Sequence, residues 1–304
     1  MNDAQPIELV SFRPGTPRAY QVAGARLVTD FVLPVLGSYA LDCGVAWSDE
    51  WDAPLPDGGE RAFGGMGLIV DQMRRVACHV TRTGCRLAVE GIATYWISPD
   101  GGRIAEVEID QDCDVSTRAA AALGAPLILA LARRGTFCIH ASVVMFGDRM
   151  LAFIGESGAG KSTLSRYLDT DKSIGWRRII DDTLPLAPVG DGPVWALPHF
   201  PQLKLADDRQ PSHLAGTQMP LTAVYVLGSG PDVRITPLRP GVAALALAGN
   251  TVAGRLFGRS LLARHLNYCA EVALRLPVRQ LSYPRDLSLL PAVGEALAAD
   301  VRDL

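Results

Sequence analysis

The sequence predicts an α/β protein in two unequal parts, a smaller β-rich part followed by a larger part that combines a mixed sheet with helices. Before residue 115, short apolar runs alternate with polar residues between glycines and prolines, which is typical of half-buried strands joined by turns. After residue 116, strand-like runs alternate with longer apolar patterns of helical period. Because 304 residues suffice for one large or two ordinary domains, we predict domains at residues 1–115 and 116–304.

The N-terminal part contains no catalytic motif, and we expect it to recognise an acceptor or to mediate assembly. An SPDGG turn at 98–102 separates two of its strands, and the loop at 51–60 should be exposed. Strands are predicted at 7–12, 25–33, 67–70, 76–81, 86–90, 94–97 and 104–109.

The second part is predicted to begin with an alanine-rich helix that is capped by Ser116 or Thr117 and ends near Gly135. A hairpin at 137–146 and 150–154 follows, with its turn at residues 147–149. Further strands are predicted at 178–186, 194–197, 223–227, 233–236 and 278–283, and helices at 242–248, 251–274 and 287–301.

A phosphate-binding motif organises this part. In MLAFIGESGAGKSTLSRY, residues 150–167, Gly155, Gly160, Lys161 and Ser162 fill the P-loop pattern G-x-x-x-x-G-K-[ST]. Loop amides and the helix N-terminus would face an anion, Lys161 would reach the β- and γ-phosphates, and Ser162 would hold Mg²⁺. A chance glycine–serine loop can match this pattern, but here an apolar strand precedes it and a helix with an apolar face follows. The predicted nucleotide site comprises Gly155, Glu156, Ser157, Gly158, Ala159, Gly160, Lys161, Ser162 and Thr163.

Acidic partners for this site are offered by Asp181 and Asp182, which follow two isoleucines of a predicted strand. Such a pair is also ordinary in a strand-end turn, but beside a P-loop one carboxylate usually serves the metal and another can accept a hydroxyl proton. His140 lies in an apolar run, where a histidine is more often a core residue. Lys204 is either a phosphate contact or a surface lysine.

Composition excludes several classes of function. The formal net charge of −3 gives no basic field for nucleic acid or anionic lipid. The N-terminus lacks a signal pattern and no run approaches the ~18 apolar residues of a membrane span, so we expect a cytoplasmic protein in which 119–132 is a buried helix. The six cysteines show no metal spacing and should be reduced core residues. Signatures of transporter ATPases, guanine-binding proteins and helicases are not visible, which leaves phosphoryl transfer.

Three motifs together resemble a known family. IHASVV at 139–144, GESGAGKS at 155–162 and IIDD at 179–182 are similar, in order and spacing, to the catalytic domain of bacterial HPr kinase/phosphorylase. The resemblance covers roughly residues 135–185, with weaker similarity in the order of elements towards the C-terminus. It does not extend to residues 1–115.

The resemblance implies a fold like that of phosphoenolpyruvate carboxykinase and ATP- and Mg²⁺-dependent phosphorylation of a serine hydroxyl. It makes Asp182 the general base, Ser162 a metal ligand, Lys161 a phosphate ligand and His140 an assisting residue. With Asp182 as the base, the neighbouring carboxylate of Asp181 is predicted to serve the metal or its water. The family's glycine-rich signature with a metal-binding glutamate is missing, and PHFPQLKLADD at 198–208 stands in its place. The resemblance therefore assigns neither a second metal ligand nor a reverse phosphorylase activity.

The acceptor is the least determined part of the prediction. The FPQLKL stretch, which contains Lys204, is similar to the divergent HPr-kinase-related proteins that phosphorylate lasso-peptide precursors. We therefore predict a serine-containing peptide or small protein as the partner, and a homo-oligomer remains open. A regulatory HPr-type kinase, a small-molecule kinase and a P-loop sensor or assembly ATPase are the alternatives.

Overall fold

The computed structural model describes residues 6–11, 18–30, 33, 40–41, 59–170, 175–200 and 218–304. Together they form a mixed α/β protein with two mixed sheets and six α-helices among these residues. Its contacts divide the chain into two compact units. The first takes residues 1–136 and 253–263, and the second takes residues 137–252 and 264–304.

The first unit is built on a nine-stranded sheet in the order β4-β2-β3-β1-β9-β8-β7-β6-β5. β1 runs parallel to β3 and β9, and the other pairings are antiparallel. Its strands are β1 Ile7–Ser11, β2 Arg18–Val22, β3 Ala25–Thr29, β4 Ala40–Leu41, β5 Glu60–Ile69, β6 Gln72–Thr81, β7 Gly84–Val89, β8 Ala93–Ile97 and β9 Arg103–Ile109. The helices α1 Val115–Ala122 and α2 Ala125–Arg133 follow.

The second unit is built on a seven-stranded sheet in the order β11-β10-β12-β13-β14-β16-β15. An additional pairing of β11 with β14 closes β11, β10, β12, β13 and β14 into a ring. Its strands are β10 Phe137–Phe146, β11 Arg149–Ile154, β12 Trp176–Leu186, β13 Trp195–Ala196, β14 Met219–Ser229, β15 Arg234–Pro237 and β16 Val278–Tyr283. Its helices are α3 Lys161–Thr170, α4 Pro240–Gly249, most of α5 Arg259–Arg275, and α6 Leu290–Arg302.

The core of the second unit lies between this sheet and the helices α3 and α6. Leu164 and Leu168 of α3, predicted to share an apolar face, are both buried there. They join Phe153 of β11, Tyr225 of β14 and Leu297 of α6 in one apolar cluster. This packing fixes α3, and with it the loop that precedes α3, against the ends of β11 and β14.

Most predicted elements are observed, and the exceptions have local causes. The strand predicted at 278–283 has those bounds, and the 137–154 hairpin is observed with its turn at Gly147 and Asp148. The region predicted as one helix from Ser116 to Gly135 is helical, but it forms two helices and its predicted cap is wrong. Asp114 is its N-cap, and a break at 123–124 precedes Pro126, which cannot continue a helical turn.

Two further boundaries differ from the prediction. The helix predicted from residue 251 begins at Arg259, because Ala253 takes a left-handed φ of 58° and a 3₁₀ turn follows it. β5 begins at Glu60 rather than residue 67, because Gly64 and Gly65 obscure its alternation in the sequence. β2 was missed altogether.

The most apolar stretch is longer than predicted. Residues 115–133 have a mean hydropathy of 1.6 over an 18-residue window, which by length and composition would permit a membrane span. However, 61% of that window is buried inside the structure, and core helices meet the same criterion. Five cysteines lie in the part of the chain that the structure describes; all five are free thiols, and only Cys113 is not buried.

Candidate functional site

The glycine loop, residues 155–160, connects the end of β11 to the start of α3, as the motif requires. Gly155 and Gly160 adopt positive φ angles of 145° and 96°. A Cβ at Gly155 would lie 3.2 Å from the Leu227 carbonyl oxygen, and one at Gly160 would lie 3.3 Å from the Tyr283 hydroxyl. Both positions therefore need glycine for conformation and for space, which gives the motif spacing a physical reason.

Lys161 is the first residue of α3 and is buried. Its Nζ donates to the carbonyl oxygens of Gly155 at 2.8 Å and Glu156 at 3.1 Å. The ammonium group is thus held inside the curve of the glycine loop. A phosphate bound by the loop amides would meet this charge directly.

The strand register brings the predicted site residues to one edge of the sheet. Phe153 of β11 pairs with Ser142 of β10, and Ser142 pairs with Asp181 of β12. With about 4.8 Å between neighbouring strands, β12 lies about 10 Å from β11 at this level. His140 and Asp182 therefore lie at the edge from which the glycine loop leaves.

Asp181 is buried in a bonded network. Its Oδ1 accepts from the Ser142 hydroxyl at 2.6 Å, and its Oδ2 accepts from Arg178 at 3.0 Å. Arg166 of α3 approaches the same Oδ2 at 4.0 Å. A β-bulge in β12 explains the contact between Arg178 and Asp181. Ile179 has no pairing partner on β10, so Arg178 and Asp181, three residues apart, lie on the same face of the sheet.

Asp182 is more accessible than its neighbour. Its side chain is 33% exposed, that of His140 is 39% exposed, and Nδ1 of the histidine lies 3.5 Å from Oδ1 of the aspartate. The Thr183 hydroxyl donates to Oδ2 at a long 3.4 Å. Asp182 thus combines access from solvent with an imidazole neighbour, which suits a group that accepts a proton from an incoming hydroxyl.

Asn250 is a site residue that sequence reasoning missed. It follows α4, and its Oδ1 accepts the Gly155 N–H at 2.9 Å, while its backbone carbonyl accepts the His140 N–H at 2.7 Å. Its own Nδ2 donates to the Ala246 carbonyl in the last turn of α4. One residue thus joins the glycine loop to the strand that carries His140. No pattern in the sequence indicates this role, because an asparagine after a helix is an ordinary C-cap.

A pocket of about 530 Å³ opens beside the glycine loop, on the side of β14 and β16. It is lined by the loop, by the ends of both strands, by Ala246 and Asn250, and by the connection from β16 to α6. Burial raises the pKa of Tyr283, which forms part of its wall, although Arg285 opposes that shift.

The residues of the site partly fit a magnesium ion. No group of three or more His, Cys, Asp or Glu side chains placed to hold a metal ion occurs within the described residues. Mg²⁺ typically needs only one or two protein ligands beside phosphate oxygens, so the Ser162 hydroxyl would supply one. Asp181 would have to give up a hydrogen bond to bind the ion, because Ser142 and Arg178 already donate to its two oxygens. Lys204 lies outside the described residues, and its role stays a prediction.

Comparison with known proteins adds little to this description. No protein-family model matches the sequence. No curated protein matches it either. Among solved structures, the HPr(Ser) kinase/phosphatase from Coxiella burnetii is similar with a TM-score of 0.29 and 13% identity, over 54% of this chain and 95% of that chain. A likeness at this TM-score supports no inference, so the functional proposal rests on the site residues themselves.

Proposed function

We propose that this chain is a P-loop kinase that transfers the γ-phosphoryl group of ATP, with Mg²⁺, to a serine hydroxyl of a peptide or small protein. One observation carries the proposal. The glycine loop with its inward-facing Lys161 and the accessible Asp182–His140 pair lie at the same edge of one sheet, within three adjacent strands. A phosphate holder and a proton acceptor are the two components that phosphoryl transfer to an alcohol needs.

Each residue has a defined task in this reaction. Lys161 and the loop amides would hold the phosphates, and Ser162 would hold a Mg²⁺ ion, whose charge would offset theirs. The serine oxygen attacks the γ-phosphorus, the bond to the β-phosphate oxygen breaks, and ADP leaves. Asp182 accepts the hydroxyl proton, and His140 orients that carboxylate from its neighbouring strand.

The accessible carboxylate favours a kinase over a sensor or assembly ATPase. Both would use the same glycine loop, but a switch protein only needs to position water. The His140 side chain is 39% exposed and the Asp182 side chain is 33% exposed, so a hydroxyl on a macromolecule can reach both. This accessibility is the feature that distinguishes the two classes here.

For the acceptor we propose a natural-product precursor peptide of the lasso class, before a regulatory HPr-type protein. The support is the FPQLKL sequence at 200–205. Only Phe200 of that stretch is among the described residues. A cytoplasmic location, a homo-oligomer and acceptor recognition by the N-terminal part remain predictions.

The test is transfer of labelled γ-phosphate from ATP–Mg²⁺ to serine peptides, with the same peptides carrying Ser→Ala as matched controls. We expect label on the serine peptides alone and a loss of at least roughly 10²-fold in Lys161→Ala, because transfer depends on positioning and electrostatics. The unfolding transition of the variant checks that the fold survives. ADP release without labelling of any serine acceptor would instead identify a sensor ATPase.

A further inference from the structure

We infer that the pocket on the β14–β16 side of the glycine loop binds the nucleoside of the nucleotide, a purine with an amino group at the six position, as in adenine. The inference rests on the proposed function and deepens it by dividing the site into two sides. The nucleotide body lies on the side of the pocket. The acceptor then approaches from the side of β10 and β12.

The strand directions place a ligand in this pocket. β11 is parallel to β14, and β14 is parallel to β16, so the carboxyl ends of all three strands meet at one edge. Ligands of α/β sheets bind in the crevice outside such ends. The pocket occupies this position, with the glycine loop at one end and the connection from β16 to α6 at the other.

The chemistry of the far end suits a base and its ribose. Leu287, 69% exposed, borders the pocket beside the buried Leu290, so an apolar surface lies open next to a phosphate-binding loop. Arg285 lines the same end and supplies a cation. The Asp286 carboxylate accepts the Ser288 N–H at 2.9 Å, which fixes the turn that presents Leu287.

Gln280 supplies the polar recognition. Its Nε2 donates to the Val226 carbonyl at 2.9 Å, and Gly228 leaves room for this amide, since a Cβ there would lie 2.6 Å from Nε2. The amide nitrogen is thereby fixed, and Oε1 has no hydrogen-bond partner among the residues that the structure describes. An acceptor in a pocket of this size matches an exocyclic amine such as that of adenine, and it repels the carbonyl that guanine carries at the same position.

The proposed reacting residues lie elsewhere. The described residues that line the pocket include all six residues of the glycine loop, but neither His140 nor Asp182. A triphosphate held by the loop therefore has its nucleoside on the pocket side. Its terminal phosphate then faces the strands that carry the histidine and the aspartate.

The experiment compares the binding of ATP, GTP and inorganic tripolyphosphate to the full chain by calorimetry. Tripolyphosphate occupies the loop but has no nucleoside. Leu287→Ser should weaken ATP binding roughly tenfold, as expected for a lost leucine contact, and leave tripolyphosphate unchanged. Leu274→Ser is the matched control, because Leu274 is 72% exposed on α5 and does not line the pocket. Gln280→Ala should reduce a preference for ATP over GTP of roughly tenfold to near one.

The outcomes separate this inference from the proposed function. Weaker ATP binding with unchanged tripolyphosphate binding supports the nucleoside pocket. Equal wild-type affinity for ATP and tripolyphosphate, or an unchanged ATP affinity in Leu287→Ser, overturns the pocket assignment and leaves the kinase proposal standing. If the wild type binds neither ATP nor tripolyphosphate, the proposed function fails as well.

Discussion

The two sides of the glycine loop differ in the kind of chemistry they present. On the pocket side, parallel strand ends offer backbone, glycine and apolar groups together with the Gln280 amide, and Arg285 and Asp286 line the connection after β16. On the other side, the antiparallel strands β10 and β12 carry His140 and two carboxylates. The sheet changes from antiparallel to parallel pairing at β11, the strand that leads into the loop. One side is thus suited to holding a ligand and the other to reacting with it.

The sharpest test of this division is Asp182→Asn. The variant keeps the shape of the side chain but removes the base, so phosphoryl transfer should fall by roughly 10²- to 10⁴-fold while ATP binding stays within about twofold. Calorimetry and transfer to a serine peptide measure the two quantities on the same preparation. Asp148→Asn is the control, because Asp148 is exposed in the turn at the other end of the β10–β11 hairpin. A parallel loss of binding and transfer would contradict the separation of the two sides.

The loop side of the site was largely predictable from the sequence. The phosphate motif is local in sequence, since a strand, three glycines and a lysine within twenty residues determine the backbone geometry. The positive φ angles of Gly155, Gly158 and Gly160 confirm the expected conformation. The pairing of β10, which carries His140, with β11, which enters the loop, was also predicted, because a short turn joins the two strands.

The rest of the site depends on contacts between residues far apart in sequence. Asn250 contacts Gly155 across 95 residues, and no spacing rule indicates such a pair. The pocket is assembled from β14, β16 and the turn before α6, which lie more than sixty residues beyond the loop. The different environments of Asp181 and Asp182 follow from a bulge at Ile179, which the sequence does not show.

Asp181→Asn distinguishes two roles for the buried carboxylate. If Asp181 is a positioning residue, the variant removes the carboxylate charge that faces the nearly buried Arg178, and the second unit should lose about 3–5 kcal/mol of unfolding free energy. If it is a metal ligand, as its position beside the phosphate motif predicts, the Mg²⁺ concentration for half-maximal rate should rise instead. Urea unfolding and a Mg²⁺ titration of the rate measure the two effects separately.

The matched control for this experiment is Arg166→Gln. Arg166 approaches the same Asp181 oxygen but is 63% exposed, so its removal should change the unfolding free energy by less than about 1 kcal/mol. A large Mg²⁺ shift with unchanged stability in Asp181→Asn would establish the metal role. The geometry favours the opposite result, because both carboxylate oxygens already accept hydrogen bonds.

Asn250→Ala should have a smaller effect than Asp182→Asn or Asp181→Asn. Asn250 has no part in the proposed reaction, and it only holds the glycine loop and the strand of His140 in place. The variant removes the side-chain acceptor of the Gly155 N–H but keeps the backbone carbonyl that accepts from His140. Leaving a half-buried amide without its acceptor costs about 1–3 kcal/mol, which corresponds to roughly 5- to 150-fold in turnover if the loop must be ordered for transfer.

The expected signature separates positioning from general destabilisation. A disordered loop binds phosphate less well, so Asn250→Ala should weaken ATP and tripolyphosphate equally, whereas changes in the pocket affect ATP alone. Asn267→Ala, at an exposed asparagine of α5, should change neither ligand's affinity. Asn250 also lines the nucleoside pocket. If Asn250→Ala weakened the binding of ATP but not that of tripolyphosphate, its main role would be in that pocket and not in supporting the loop. Equal weakening of both ligands, with the transfer rate of the saturated enzyme also lowered, would show that the link from α4 holds the phosphate loop in register with the strand of His140.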